Sequence, residues 1–244
     1  MAKIDKSKYS KSEWQLIRDQ RRNEKEFNKL IKEKKDLVVE KTPVIRQKTA
    51  FVLGNGTSRS PINPEELKTY GTIYGCNALY RSFSPDYLIA VDTKMILEIN
   101  KSGYQKKHEV WTNPNKAYHK MSGFNFFQPS KGWSSGPTAL WLASQHGHET
   151  IYILGFDYRG LEDGKRFNNI YADTMNYKKS QDGATFFGNW LRQTKSVIQT
   201  HSNIHYVRVI APDNYQPDEL NNFDNFSTIT VENFQRIFGF SSNC

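Results

Sequence analysis

The sequence predicts an α/β protein whose mostly parallel sheet is covered by helices on both faces, with a basic helical arm ahead of it. Three observations point there. Short apolar runs rich in β-branched residues alternate with stretches of helical spacing, the pattern of strand–helix–strand units. Four of those runs end in a polar residue: Asn55, Asn77, Asp92 and Asp157. The charge is lopsided, since residues 1–49 hold 15 Lys/Arg against 8 Asp/Glu and so carry +7 of the net +9.

A chain of 244 residues suffices for one good-sized domain with an arm. No run approaches the ~20 apolar residues of a transmembrane helix. The start, M-A-K-I-D-K-S-K, lacks the apolar stretch of a signal peptide. The two cysteines, Cys76 and Cys244, fall in no metal-ligand spacing. Together these predict a cytoplasmic, reducing setting without structural disulfides.

Residues 1–48 read as arm and linker. Ser10 with Glu13 makes a capping-box pattern that starts a helix over about 10–35. Trp14, Leu16 and Ile17 at one end and Phe27, Leu30 and Ile31 at the other flank a polar middle. Such a helix predicts docking on its own core, on a protein partner or second copy, or on a polyanion, with partner binding or self-association the expectation. Its charge favours a solvated face over nucleic-acid binding.

The domain is expected over 49–212. The run 49–53 is a strand, and Gly54-Asn55-Gly56-Thr57-Ser58-Arg59 follows it as a glycine-rich turn able to bring N–H groups near a phosphate. It is neither G-x-G-x-x-G nor a P-loop. A short helix is expected at 64–70. Strands follow at 72–76, ending in Asn77, and at 86–91, ending in Asp92. A helix over 93–100 carries Met95, Ile96 and Ile99 on one side. Short strands are expected at 109–112 and 125–128.

Residues 133–158 form the central block. Ser134, Ser135 and Gly136 read as a polar turn, with Pro137 as the first helical position. The helix runs over 138–145 and stops at Gly147. Residues 151–154 form a strand buried on both faces, and Gly155, Phe156, Asp157 and Tyr158 end it. The polar excursion 159–183, with Asn168, Asn169, Tyr171, Asp173, Asn176 and Tyr177, reads as a lid. A helix over 185–200 shows Phe186, Trp190, Leu191, Thr194 and Val197 on its apolar side, and 205–210 is the last clear strand. Residues 213–244 read as a tail with a short helix at 231–238. In a parallel sheet the four polar strand ends share one edge and predict a ligand crevice there.

Three stretches resemble the bacterial sialyltransferases of glycosyltransferase family 42. They are G-N-G-T-S at 54–58, C-N-A-L-Y at 76–80 and S-S-G with H-G-H-E-T-I-Y-I-L-G-F-D-Y at 134–158. The resemblance covers about 49–212 and implies a Rossmann-like domain with a lid, a CMP-sialic-acid-like donor and no required cofactor. It implies that Gly54, Asn55, Gly56 and Ser58 lie near donor phosphate or sugar, and that Asn77 contacts the nucleotide. Ser134, Ser135 and Gly136 would face a carboxylate or phosphate, and Asp157 would flank the nucleotide. Tyr158, Tyr171 and Tyr177 would stabilise the departing phosphate.

Two positions depart from that family. Asp92 stands where it has Asn, and Phe186 or Phe187 stands where it has a catalytic His. Asp173, Asp182 and the lid tyrosines are the candidates to replace that base. P-D-Y-L-I-A-V-D at 85–92 and Y-A-D at 171–173 are similar to the related motility-accessory-factor and pterin-pyrophosphokinase-like proteins. That similarity implies a magnesium-bound nucleotide held by Asp92 and Asp157. The expected function is a nucleotide-dependent transferase, most like a glycosyltransferase, with a weakened site. The alternative is a non-catalytic structural or interaction protein, such as a phage virion component, that keeps the fold.

Overall fold

The computed structural model describes residues 48–240. The expected arm helix at 10–35 and its linker lie outside the described residues. Eight strands form one sheet: β1 Thr49–Leu53, β2 Thr72–Cys76, β3 Tyr87–Ile89, β4 Val110–Thr112, β5 Phe124–Phe126, β6 Thr150–Leu154, β7 His205–Ile210 and β8 Phe226–Thr230. Their order is β5-β4-β3-β2-β1-β6-β7-β8, and every neighbouring pair is parallel. This is the Rossmann-like α/β architecture expected from the alternating pattern.

The order explains where a crevice must lie. From β1 the chain steps outward through β2, β3, β4 and β5. It then returns to the other side of β1 and adds β6, β7 and β8. The direction of winding reverses at β1 and β6, so the loops leaving those two strands part to opposite faces and leave a gap at their C-terminal ends.

Alternation along β1 builds both faces. Ala50 and Val52 belong to the core that packs under α3 (Ser135–Gln145) and α4 (Gly188–Thr200). Phe51 points the other way and meets α5 (Val231–Phe238), its ring at 6.1 Å from Phe234 and 5.4 Å from Phe238. Tyr152 of β6 stacks beside Phe51 and touches the same two rings. Phe234 is fully buried, a contribution of about 1.5–3 kcal/mol from hydrophobic transfer alone. The helix is bounded by the Thr230 side chain, which accepts from the Asn233 amide, and by Gly239 at φ 68°.

That packing corrects the expected domain boundary at 212. The helix at 231–238 is where the sequence placed it, but β8 precedes it and pairs with β7 over five residues. The segment beyond 212 therefore completes the sheet. β8 was missed because F-S-T-I-T is half-buried throughout, an edge strand without an apolar run.

The remaining elements sit close to expectation. α1 is Pro64–Leu67, with the Asn63 side chain accepting from the Glu65 amide. α2 is Thr93–Ser102, ended by Gly103 at φ 73°. α3 begins two residues before Pro137, because Ser134 is the extended residue that precedes it. Proline is tolerated at the third position, where the amide still has no intrahelical acceptor. α4 begins at Gly188, so Phe186 lies outside it and is 76% exposed. Residues 114–120 include a turn in which the amides of Tyr118 and His119 bond the Asn115 carbonyl. Among the described residues no helix is long and apolar enough to cross a membrane.

Candidate functional site

The turn after β1 is consumed by the protein itself. The Gly54 amide bonds the Leu154 carbonyl at 2.8 Å and the Gly56 amide bonds the Gly155 carbonyl at 2.9 Å. The Thr57 amide reaches Asn168 Oδ1 at 2.9 Å, and the Ser58 amide reaches Asp157 Oδ2 at 3.2 Å. Ser58 Oγ donates to Asp157 Oδ1, and Asn168 Nδ2 donates to Asp157 Oδ2 at 3.0 Å. The glycines serve this closure. A Cβ on Gly56 would lie 2.5 Å from the Asp157 carboxyl, and one on Gly54 would lie 2.6 Å from the Gly155 carbonyl. This corrects the expected phosphate cradle: four of the turn's N–H groups already have acceptors, and Ser58 faces Asp157.

The turn before α3 is the reverse case. The Ser134 amide is held by Gln193 Oε1 at 3.1 Å, and the first helical bond runs from the Thr138 amide to the Ser134 carbonyl at 3.0 Å. The Ser135 and Gly136 amides find no acceptor among the described residues. Ser135 Oγ fixes their position by donating to Asn77 Oδ1 at 2.8 Å and accepting from the Val91 amide at 3.2 Å. One hydroxyl thus ties α3 to the ends of β2 and β3. Free amides at the start of an 11-residue helix carry the positive end of its dipole.

Between the two turns lies a cleft of about 480 Å³. Gly54, Asn55, Gly56, Asn77, Asp92, Ser134, Ser135, Gly136 and Asp157 all line it, so the predicted convergence of strand ends holds for every binding candidate except Ser58. Trp133, Phe156, Phe187 and Trp190 supply aromatic walls. Asn55 is buried, and its Nδ2 bonds the Cys76 carbonyl at 3.2 Å and Tyr177 Oη at 3.3 Å. Its Oδ1 has no partner among the described residues. A buried acceptor left open in a cleft invites a donor from a ligand.

The two acids behave differently. Asp157 is buried, and both of its oxygens are taken by Ser58 and Asn168. Asp92 occupies the N-cap position of α2 yet does not cap it. Its carboxyl stands exposed in the cleft, with its pKa raised by the protein that displaces water around it. The implied magnesium pair of Asp92 and Asp157 is a poor fit, because both oxygens of Asp157 already accept hydrogen bonds from the protein. Among the described residues no group of three or more His, Cys, Asp or Glu is assembled as a metal site.

The expected catalytic side chains are not gathered in the cleft. Tyr158 lines it, but its hydroxyl turns into α4 and donates to Thr194 Oγ1 at 2.9 Å. Burial pushes that phenol up to about 12. Tyr177 Oη accepts from Asn55 and from the Ala78 amide at 3.4 Å, and Tyr171 Oη meets Ser82 Oγ at 3.2 Å. Asp173 is exposed and accepts from the Ser180 amide at 3.1 Å, within the lid itself. Asp182 accepts from the Lys179 amide at 2.8 Å. The lid segment beside these tyrosines is fastened by a latch. Arg81 grips Glu98 through two bonds of 2.7 Å and reaches Thr174 Oγ1 and the Met175 carbonyl, each at 2.8 Å. Asn176 Nδ2 adds a bond to Glu98 at 2.6 Å. Bidentate Arg–carboxylate pairing of this kind fixes geometry as well as charge.

Two buried cations went unnoticed in the sequence, where nothing marks them. Arg208 is 1% exposed, bonds the Tyr215 carbonyl at 2.9 Å and lies 5.0 Å over the Tyr158 ring. Arg59 Nε bonds the Gly54 carbonyl at 2.6 Å beneath the lid. Burial lowers the pKa of both. Gln193, which pins Ser134, was also unmarked, as it is one polar residue on an amphipathic helix.

Compared with protein-family models, curated proteins and solved structures, the chain matches none. Fold and site together define a parallel α/β protein with a polar, aromatic-walled cleft at its switch point.

Proposed function

We propose that the cleft binds a nucleotide or nucleotide-sugar and that the protein is a nucleotide-dependent transferase, most like a glycosyltransferase with a CMP-sialic-acid-like donor. The observation that carries this is the pair of free amides at Ser135 and Gly136, facing a cleft at the sheet's switch point. An anionic phosphate satisfies both amides and the helix dipole at once. Aromatic walls suit a base or a sugar ring, and the open Asn55 Oδ1 suits a hydroxyl or amino donor. The resemblance to sialyltransferases supports the sugar-nucleotide class.

One observation favours a second reading. Phe186 or Phe187 stands where the resembled family carries its catalytic His, and of the two it is Phe187, not a base, that lines the cleft. A non-catalytic binding protein on the same fold would look like this. The deciding experiment is a thermal-shift screen of CMP, CDP, UDP, GDP and ATP, each with and without Mg²⁺, followed by nucleotide release from CMP-sialic acid. A ligand at 100 times its dissociation constant should add about 2.7 kcal/mol. Binding with release supports the transferase, and binding without release supports the second reading. No stabilisation by any of the five ends both.

A further inference from the structure

Five ionisable side chains line the cleft among the described residues: Cys76, Asp92, Asp157, Tyr158 and Arg159. Four of them are already engaged, or have no open acceptor to offer a bound hydroxyl. The Cys76 thiol is buried and pushed up to about 12, so it holds its proton. Asp157 has both oxygens occupied by three donors. Tyr158 keeps its proton and donates a hydrogen bond to Thr194 Oγ1. Arg159 is a cation. Asp92 alone is an acceptor without a partner. An aspartate at an N-cap normally spends its oxygens on the helix amides. Asp92 does not, although its backbone has the extended shape a cap requires, at φ −82° and ψ 128°.

Its neighbour places it beside the anion end of the cleft. Val91 donates its amide to Ser135 Oγ at 3.2 Å, so Asp92 is one residue from the start of α3. From this geometry we infer that Asp92 is the general base of the site. The inference rests on the transferase reading above. In the step it implies, an acceptor hydroxyl gives its proton to the Asp92 carboxylate and its oxygen bonds the anomeric carbon of the donor sugar. The bond from that carbon to the phosphate oxygen breaks. Its electron pair leaves on the phosphate, which the Ser135 and Gly136 amides receive. The raised pKa of Asp92 suits this role, since a stronger base is a better proton acceptor.

The test compares the full-length wild type with Asp92→Asn and Asp92→Glu. CMP and UDP affinities are measured by calorimetry. Nucleotide release is measured from CMP-sialic acid, UDP-galactose and UDP-N-acetylglucosamine, with and without lactose. Asparagine keeps the shape and loses the basicity. Asp92→Asn should bind nucleotide within about threefold of wild type and lose ~10²–10⁴-fold of lactose-dependent kcat with little change in KM. Asp92→Glu should recover part of the rate. An Asn variant that turns over like wild type overturns the inference. So does a nucleotide affinity that falls in step with kcat, which would make Asp92 a binding group. Wild type that binds nucleotide but releases none in the presence of lactose overturns it while leaving the binding reading intact. Failure of wild type to bind either nucleotide removes both.

Discussion

Two turns on one edge of the sheet, at 54–58 and 134–136, resemble each other in composition and do opposite work. Both are short, polar and glycine-containing, and both follow or precede an element at the switch point. The first spends its amides on Leu154, Gly155, Asn168 and Asp157. The second leaves two amides open. Glycine and serine therefore mark close approach in one place and open amides in the other. The difference is set by what faces each turn: the β6 end faces the first, and the cleft faces the second.

The largest test concerns the sheet that holds both turns. Ending the chain after residue 212 removes β8 and α5, and with them Phe234 and Phe238 from the face of Phe51 and Tyr152. The cooperative unfolding transition should be lost in circular dichroism. A truncated protein that melts like wild type would return this segment to a dispensable tail.

Next comes the closed turn. Asp157→Ala strips the acceptor from Ser58 N–H, Ser58 O–H and Asn168 N–H. Leaving buried donors unpaired should cost about 3–5 kcal/mol in urea denaturation. A loss under about 1 kcal/mol would mean that the turn is not held by this carboxylate.

A paired glycine comparison follows. Gly56→Ala drives a Cβ against the Asp157 carboxyl and the Gly155 carbonyl and should cost about 2–3 kcal/mol. Gly136→Ala meets only the edge of the Phe156 ring, at 3.1 Å, and gains helix propensity, so its cost should stay within about 1 kcal/mol. Equal costs would erase the contrast between the turns.

The smallest effect lies at the other end of α3. Tyr74 Oη joins His146 Nδ1 at 2.6 Å and His148 Nε2 at 2.9 Å. Burial, and then the nearby His148, hold His146 down to about 4 from an ordinary 6.5. The unfolded chain thus binds a proton that the folded chain refuses between those values, so stability falls as the pH drops from 6.5 to 4 and is unaffected above 6.5. The half-buried ring limits the loss to on the order of 1–2 kcal/mol. Denaturant midpoints at pH 7 and pH 5 should differ in wild type and converge in His146→Asn. An unchanged difference would assign the acid sensitivity elsewhere.

The buried runs were legible. T-A-F-V-L, T-I-Y-G-C and H-Y-V-R-V-I fall on β1, β2 and β7, and T-I-Y-I-L on β6, because a strand covered on both faces must be apolar nearly throughout. The polar residues at four strand ends were legible as one edge for the same reason: parallel strands put all their C-terminal ends together. β8 was not, since a half-buried edge strand has no such run. The roles of the acids were not legible either. Asp92 and Asp157 are equivalent as letters, and only the facing Ser58 and Asn168 silence one of them.

By itself, then, the sequence determined the class of fold, the edge that carries the cleft and most of the residues lining it. These follow from local periodicity and from the geometry of parallel strands. The tertiary structure decided which amides are free, which carboxylate is open, and that the lid segment is latched by Arg81 and Glu98. Those are properties of pairs distant in sequence, such as Ser58 with Asp157 and Ser135 with Asn77. A hydrogen bond consumes a donor and an acceptor together, so neither residue's availability can be read until its partner is in place.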